Sequence, residues 1–304
     1  MKRLWRLLAI VCLVPVVASA QMPAPIPRST FDVLATVYQY DQDIPLSVQT
    51  VRHDEDSVYV REKVVFRSVR DGLVPGYIAV PRRGHAPFPV VLLLHSLTGS
   101  KEDWWQRGNY TSGGDVTYAL LRAGYAVAML DVQYHGERRA NNGFEEPGPM
   151  VLVHDWSNRY REMIVQSVID YRSLLDILVR RPEIDSSRIG ALGYSLGGMM
   201  TFILVGVDTR IKAAVTCSSP PFQRNPLRAA VAPQNFAPAV AGRPFLVLAG
   251  SRDGRDMVAE ATALFGMISS DTKELRFFDS DHQLPPTYVD TAVQWFVRHL
   301  SHAR

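Results

Sequence analysis

Short apolar runs recur through the middle and the carboxyl-terminal half of the chain. They occupy residues 90–94, 126–130, 189–192, 213–215 and 245–248. A run that is apolar at every position predicts a strand with both faces covered, as in a parallel sheet between helices. The stretches between the runs predict helices, at residues 117–123, 160–179, 196–205 and 257–268. Strands that alternate with helices indicate an α/β fold with a mostly parallel sheet and right-handed crossovers.

The segment before these runs has a different pattern. Residues 58–69 alternate roughly between β-branched and charged side chains, an Asp-Gly pair follows at 71–72, and residues 73–80 are again largely apolar. This order predicts an antiparallel hairpin. We therefore expect one α/β domain over residues 58–304, in which the hairpin extends the central sheet and helices cover both faces. Residues 21–57 are expected to be an amino-terminal leader.

The first twenty residues have the pattern of a secretory signal peptide. Basic residues at positions 2, 3 and 6 precede an apolar stretch at residues 7–17, and the sequence Ala-Ser-Ala follows at 18–20. Signal peptidase accepts such small residues, so cleavage is expected after Ala20. The alternative is a retained membrane anchor, but the apolar stretch is shorter than the roughly 20 residues that span a bilayer. We expect a secreted or periplasmic protein without stable membrane insertion.

Charge and cysteine content exclude some classes of protein. The formal net charge of the 304 residues is +3, and the three basic residues of the signal segment account for this excess. A nearly neutral mature chain gives no indication of a nucleic-acid partner. Cys217 would be the remaining cysteine after cleavage, so no intramolecular disulfide is expected, and its apolar surroundings predict a small buried residue.

Residues 193–197 carry the first indication of chemistry. They read Gly-Tyr-Ser-Leu-Gly, between the predicted strand 189–192 and the predicted helix 196–205. Glycine on both sides permits a sharp strand-to-helix turn that lifts the hydroxyl of Ser195 clear of the sheet. The alternative is a glycine-rich turn without catalytic function. Deciding between them requires a base and a carboxylate where the architecture would place them.

His282 and Asp253 are the candidates for these partners. His282 is one of eight histidines, and it lies between a predicted last strand at 275–278 and the last predicted helix. Asp253 follows the strand at 245–248, where its carboxylate could orient the imidazole. Asp256 is the alternative, although it is expected to be an exposed residue of the next helix. The chain order Ser195, Asp253, His282 is typical of enzymes with a nucleophile elbow.

Together these residues resemble the α/β-hydrolase superfamily, over about residues 58–299. Within it, the chain is similar to the dienelactone-hydrolase-like and prolyl-oligopeptidase-like esterases of bacteria. The resemblance implies an oxyanion hole made by the backbone N–H groups of Leu97 and Leu196. Leu97 lies in residues 95–100, which match the family's His-Gly-x-x-Gly-Ser loop except that serine replaces the first glycine. Dienelactone hydrolases proper carry a cysteine where Ser195 stands, so their lactone substrate is not transferred.

The expected function is that of a secreted serine carboxylic-ester hydrolase that forms an acyl-enzyme and needs no cofactor. His135 and Glu137 follow Asp131 in a segment that resembles the family's Asp-x-x-x-His-Gly turn, but no third ligand at a useful spacing supports a metal site. The substrate is expected to be a small-molecule or sugar ester. Oligomeric state is not predicted.

Residues 134–158 and three tryptophans are the candidates for substrate contacts. The segment has little periodicity and is expected to cover the carboxyl edge of the sheet, where open α/β folds bind ligands. Trp104, Trp105 and Trp156 lie in loops near the predicted cleft and could form an aromatic wall for the substrate. Packing in the core is the alternative for each of them.

Two other functions are compatible with the sequence. A serine peptidase would use the same machinery on an amide bond, although the prolyl-oligopeptidase relatives gate their site with a large amino-terminal propeller for which few residues are available here. A non-catalytic binding protein on the same fold is the remote alternative. Such a protein would be expected to have lost a member of the triad, and all three are present.

Overall fold

A computed structural model describes residues 23–70 and 72–301, and in this part of the chain one nine-stranded sheet forms the centre of the protein. The predicted α/β class is confirmed. The strands are β1 (Gln49–Glu55), β2 (Tyr59–Arg67), β3 (Leu73–Pro81), β4 (Phe88–Leu94), β5 (Ala126–Leu130), β6 (Ile184–Tyr194), β7 (Ile211–Cys217), β8 (Phe245–Gly250) and β9 (Lys273–Phe278). Their order is β1-β2-β3-β5-β4-β6-β7-β8-β9, with antiparallel pairing from β1 to β5 and parallel pairing from β5 to β9.

The described helices cover both faces of this sheet. They are α1 (Arg28–Ala35), α2 (Gly113–Arg122), α3 (Pro147–Leu152), α4 (Ser157–Leu178), α5 (Leu196–Val207), α6 (Pro233–Phe236), α7 (Arg255–Met267) and α8 (Tyr288–His299). Alternate residues of a strand point to opposite faces, and β4 shows this clearly. Its Leu92 packs in one core layer with Phe202 of α5, whereas Leu93 packs in the other layer with Phe296 of α8.

The amino-terminal part contributes more to the fold than the sequence pattern predicts. The predicted hairpin is present as β2 and β3, although Asp71 of its turn lies outside the described residues. β1 adds a further antiparallel strand from within the expected leader. Its side chains are mostly exposed and polar, so it lacks the alternation that marks a half-buried strand. Phe31 and Tyr38 of the same region are buried in the core, and the Tyr38 hydroxyl donates to the carbonyl of Ala230.

Two glycines explain why α2 begins earlier than predicted. The pattern places the helix at 117–123, whereas the structure begins it at Gly113. A Cβ at Gly113 would overlap the carbonyl of Asp103, and one at Gly114 would overlap the backbone of Gln106. These glycines therefore allow the first turn to pack against the preceding loop, a contact that hydrophobic periodicity does not register.

Tyr171 of α4 connects the helix layer to the ends of two central strands. Its side chain is fully buried, and its hydroxyl donates to the carbonyl of Leu93 at 2.8 Å. The same oxygen accepts the N–H of Leu130 at 3.3 Å. Burial raises the pKa of this phenol far above its ordinary value. The tyrosine thus satisfies backbone groups of β4 and β5 at the edge where the loops of the candidate site begin.

Removal of this hydroxyl tests the connection. We expect Tyr171→Phe to lower the free energy of unfolding by about 1 to 3 kcal/mol, because it leaves buried backbone groups unsatisfied without creating a large cavity. Urea denaturation measures the change. Tyr110→Phe, which removes the hydroxyl of a half-exposed ring, should change stability by no more than about 0.5 kcal/mol. Equal effects of the two substitutions would contradict the proposed connection.

Candidate active site

Ser195 lies on a sharp turn between β6 and α5, at the carboxyl edge of the parallel strands. Its backbone has φ 52° and ψ −113°, a conformation that non-glycine residues rarely adopt. The N–H of Ser195 donates to the carbonyl of Cys217 at 2.8 Å, which fixes the turn to the end of β7. Cys217 itself is buried, and burial raises the pKa of its thiol.

The glycines that flank the serine are required by close backbone packing. A Cβ on Gly193 would overlap the carbonyl oxygen of Gly197. A Cβ on Gly197 would overlap the carbonyl oxygen of Leu94 at the end of β4. The turn therefore presses the start of α5 against the neighbouring strand, and no larger residue fits at either position.

The structure brings Ser195, His282 and Asp253 together. His282 Nε2 lies 3.0 Å from Ser195 Oγ, and His282 Nδ1 lies 2.8 Å from Asp253 Oδ2. A carboxylate accepts only, so Nδ1 carries the proton and Nε2 is free to accept from the serine hydroxyl. Asp253 lies just after β8, whereas Asp256, the alternative, is exposed in the first turn of α7.

Tyr194 holds the loop that carries the histidine, a role that the sequence pattern does not reveal. Its buried hydroxyl donates to the carbonyl of His282 at 2.9 Å and accepts the N–H of Leu284 at 2.8 Å. Gly250, at the end of β8, lets the same loop approach closely, because a Cβ there would overlap the carbonyl of Asp281. The only signal in the sequence is that Tyr194 directly precedes Ser195, at the end of a buried strand.

Leu97 and Leu196, the predicted oxyanion donors, both line the cleft beside Ser195. Leu196 is the first residue of α5, where an N–H has no acceptor within its own helix. Leu97 follows β4, and its carbonyl lies 2.7 Å from Nε2 of His135. This contact turns the carbonyl of Leu97 toward the protein interior, on the side of the buried imidazole.

His95 fastens the start of the same loop. Its Nδ1 donates to the carbonyl of Ser96 at 2.8 Å, and its Nε2 accepts the N–H of Val132 at 3.0 Å. This pattern requires a neutral ring. Burial, reinforced by the nearby His135, lowers the pKa of His95 well below its ordinary value. The two rings lie 5.0 Å apart beneath the loop.

A buried ion pair lies under the other end of the loop. Lys101 Nζ lies 2.8 Å from Asp131 Oδ2 and 2.5 Å from Glu137 Oε1, and the N–H of Lys101 donates to Asp131 Oδ1 at 2.9 Å. Burial alone would lower the pKa of Lys101, but the two carboxylates outweigh it and raise the pKa above its ordinary value. Glu137 is thus engaged by lysine, and residues 23–70 and 72–301 contain no group of three or more potential ligands that could hold a metal ion.

The cleft above these residues has a volume of about 460 Å³ and is mainly apolar. It is bordered by the loop after β4, by α3 and the start of α4, and by the loop after β7. Residues 134–158 therefore include part of its wall, although the segment is more regular than predicted, with a 3₁₀ helix at Gly136–Asn142 and α3. The lining residues are Ser96, Leu97, Thr98, Tyr110, Val151, Leu152, Tyr160, Tyr194, Ser195, Leu196, Pro220, Gln223, Arg228 and His282.

The three tryptophans predicted as substrate contacts lie elsewhere. Trp104 is 1% exposed and packs in the core layer of α2 and α8. Trp105 packs against the ring of Tyr59 at 5.1 Å, and Trp156 is partly exposed and stacks on His154 at 4.7 Å. The aromatic residues that do line the cleft are tyrosines. The three tryptophans therefore do not form the expected aromatic wall of the cleft. Their position in loops near the cleft does not determine the direction in which each ring points.

Comparison with known proteins identifies a family and several relatives that this chain resembles. The family model described as acetyl xylan esterase (AXE1) matches residues 32–232, more than half of the chain. "Putative hydrolase YtaP" of Bacillus subtilis (strain 168) is 28% identical over 179 residues, which cover 58% of each chain. "Uncharacterized peptidase YuxL" of the same organism is 23% identical over 294 residues, which cover 81% of this chain and 40% of that protein. The chain thus spans less than two thirds of the length of these relatives.

Solved structures support the fold. The acetyl xylan esterase from Paenibacillus sp. R4 has a TM-score of 0.71 at 19% identity, with 92% of this chain and 97% of that chain covered. Acetyl xylan esterase 1 from Thermoanaerobacterium sp. JW/SL YS485 has a TM-score of 0.66 at 16% identity, with 92% and 96% covered. At these identities the likeness establishes the α/β-hydrolase fold.

Two glycine substitutions test the packing of the serine turn. We expect Gly197→Ala to destabilise the protein by about 3 kcal/mol or more, because the new methyl group overlaps a backbone carbonyl that cannot move freely. Gly266→Ala is the matched control. It lies near the end of α7 with open space around it and should raise stability by about 0.5 to 1 kcal/mol. Thermal or urea unfolding of both variants is the measurement, and wild-type stability of Gly197→Ala would refute the packing argument.

Proposed function

The chain belongs to the acetyl xylan esterase (AXE1) family, and on that premise we propose that it is a serine carboxylic-ester hydrolase. The observation that carries the proposal is the position of the His282 ring, whose two nitrogens lie within hydrogen-bond distance of Ser195 and Asp253. A serine hydroxyl is a weak nucleophile until a base accepts its proton, and this arrangement supplies that base.

The proposed reaction begins with attack of Ser195 Oγ on the ester carbonyl while His282 Nε2 accepts the hydroxyl proton. The tetrahedral intermediate carries a negative oxygen, which the N–H groups of Leu97 and Leu196 stabilise. Its collapse breaks the bond to the alcohol, and His282 returns the proton to the leaving oxygen. Water then attacks the acyl-enzyme in the same manner, with His282 as base, and releases the carboxylic acid and free Ser195.

Asp253 and Tyr194 keep the base in place during both steps. The Asp253 carboxylate accepts from Nδ1, so it selects the tautomer whose Nε2 can accept a proton and favours the imidazolium that forms. Tyr194 acts on the backbone, because its hydroxyl bonds to the loop on both sides of Gln283. The proposed substrate is a small-molecule or sugar ester, consistent with the family description and with a cleft that opens beside Ser195.

We also propose that the protein is exported. The signal-peptide pattern at residues 1–20 supports export, and these residues lie outside the described part of the structure. Among residues 23–70 and 72–301, no helix combines the length and the apolar content that a membrane crossing requires.

Replacement of the nucleophile tests the function directly. Ser195→Ala should lower kcat for a short-chain aryl ester on the order of 10⁴-fold or more, because the covalent step is lost while the fold remains. Ser269→Ala, at an exposed position after α7, should retain full activity. Steady-state hydrolysis of p-nitrophenyl butyrate is the assay. Full activity of the Ser195→Ala variant would contradict the proposed function.

The same enzyme preparation distinguishes ester from amide hydrolysis. Rates on a matched pair, an acyl p-nitrophenyl ester and the corresponding p-nitroanilide, separate an esterase from the alternative of a peptidase. A specificity constant for the anilide equal to or above that for the ester would favour the peptidase. Absence of labelling by a fluorophosphonate probe at Ser195 would instead support a non-catalytic protein.

Expression of the full chain in a bacterial host tests export. We expect the mature protein in the periplasm or medium to begin at Gln21, since the tripeptide before it fits signal peptidase. Edman sequencing or intact mass measures the amino terminus. A protein that retains its first twenty residues and sediments with membranes would show that the segment is an anchor.

A further inference from the structure

Two walls of the cleft are separate segments of the chain that lie outside the sheet. One wall is α3 with the start of α4, and the other is the loop after β7, which includes a 3₁₀ helix at Pro226–Val231. α3 has six residues, of which Pro147 and Met150 are buried. Elements that bury few apolar side chains are held weakly by packing alone. The position of α3 beside Ser195 therefore depends on further contacts between the walls.

Arg228 provides such contacts through three nitrogens of its guanidinium group. From the loop after β7, its Nε donates to Ser157 Oγ at 3.0 Å, and its Nη2 donates to the carboxylate of Asp155. Both acceptors belong to the opposite wall, where α3 leads into α4. Nη1 donates to Gln223 Oε1 at 3.3 Å within its own loop. One planar side chain thus joins the two walls, in a wall junction formed by Arg228, Ser157 and Asp155.

Ser157 is the buried centre of the wall junction, since this residue is 4% exposed. Its hydroxyl donates to Asp155 Oδ1 at 3.1 Å. The same oxygen accepts from Arg228 and, at 2.9 Å, from Asn225 Nδ2. The hydroxyl therefore uses its donor and both of its acceptor positions. Loss of one partner leaves the others unpaired, so we expect the wall junction to form or break as a unit.

Arg228 also fixes two side chains that line the cleft. Its side chain is 11% exposed, and its guanidinium carbon lies 4.6 Å from the centre of the Tyr160 ring. Tyr160 and Gln223 border the cavity from opposite walls, and both contact Arg228. The arginine thereby sets the separation of cavity-lining residues, while its own nitrogens are already paired within the protein.

The groups of the proposed triad are held independently of the wall junction. Ser195, Asp253 and His282 follow β6, β8 and β9 and bond to one another. In the described part of the chain, Arg228 makes its hydrogen bonds with the walls of the cleft and with none of these three groups. A change in the wall junction should therefore alter how the cleft receives a substrate and leave the chemical steps unchanged.

We propose that Arg228 is a positioning residue that holds the two walls at the separation at which the cleft binds its ester. The inference rests on the proposed serine-esterase function of Ser195 and goes beyond it by naming the contact that sets substrate affinity. Without this contact, the walls would be apart in a fraction of the molecules. Apparent affinity falls in proportion to the fraction that is competent to bind, so KM should rise while kcat is retained.

Replacement of the arginine by a side chain of similar length tests the inference. In the full mature chain, Arg228→Met should raise KM for p-nitrophenyl butyrate by about fivefold or more and leave kcat within about twofold of the wild type. Arg224→Met is the matched control, because Arg224 lies on the same loop, is half exposed and pairs with Glu260 of α7. It should leave both constants unchanged.

The two kinetic constants separate failure of the inference from failure of the proposed function. An unchanged KM in Arg228→Met, or a fall in kcat larger than the rise in KM, overturns the positioning role and leaves the esterase function intact. A wild-type rate no higher than that of Ser195→Ala overturns the esterase function itself.

Ser157→Ala gives an independent test, because Ser157 does not border the cavity and cannot act by touching the substrate. It should raise KM, and the double variant with Arg228→Met should raise KM no further than Arg228→Met alone, since both changes break the same wall junction. Arg228→Lys, which keeps the charge and one donor group, should restore part of the affinity.

The outcome of this second test is decisive in either direction. Effects of Ser157→Ala and Arg228→Met that multiply in the double variant would show that Arg228 acts on the substrate directly, against the inference. If Arg228→Met yields no folded protein, Ser157→Ala and Arg228→Lys decide the question, and a wild-type KM in both overturns the inference.

Discussion

Backbone contact between the serine turn and the end of β4 is the constraint on which the site depends. Gly197 approaches the carbonyl groups of Leu94 and His95 so closely that no side chain fits between them. This contact holds the start of α5 against the residues that lead into Leu97. Nucleophile and proposed oxyanion donors are thus positioned by one packing contact, and the unusual backbone conformation of Ser195 is maintained by the same contact.

Polar groups buried below the site keep that arrangement rigid. His95, His135 and Lys101 each bond to a group on the facing loop after β5 or on the loop after β4 itself. Burying charges and imidazoles costs free energy unless every group is paired, and a partly satisfied network would be worse than an apolar core. The lysine is neutralised by two carboxylates, and burial holds the imidazole of His95 neutral. These paired groups hold the loop that carries Leu97 in a fixed position.

The proposed catalytic groups and the wall of the cleft come from different parts of the chain. The proposed catalytic groups follow strands β4, β6, β8 and β9, whose ends are fixed by the sheet. The cleft wall comes from α3, the start of α4 and the loop after β7, which Arg228 links through Asp155 and Ser157. These segments lie outside the sheet, so their side chains can differ without disturbing the nucleophile.

The sequence by itself determined the features that depend on local pattern. Fully apolar runs located the central strands, glycine spacing located the turn at Ser195, and chain order selected Asp253 and His282 from many acids and histidines. Each of these follows from a short-range physical rule, either burial on both faces of a strand or the backbone freedom of glycine.

Only the tertiary structure decided which side chains face the cleft. Trp104 and Leu152 are both large apolar residues in segments for which the sequence pattern predicts no helix or strand, yet the first is buried in the core and the second borders the cavity. Strand β1 and the role of the Tyr194 hydroxyl could likewise not be predicted from the sequence pattern, because both depend on partners distant in the chain. An apolar residue is driven out of water equally well by core or by substrate, so the packing of whole elements determines which of the two it meets.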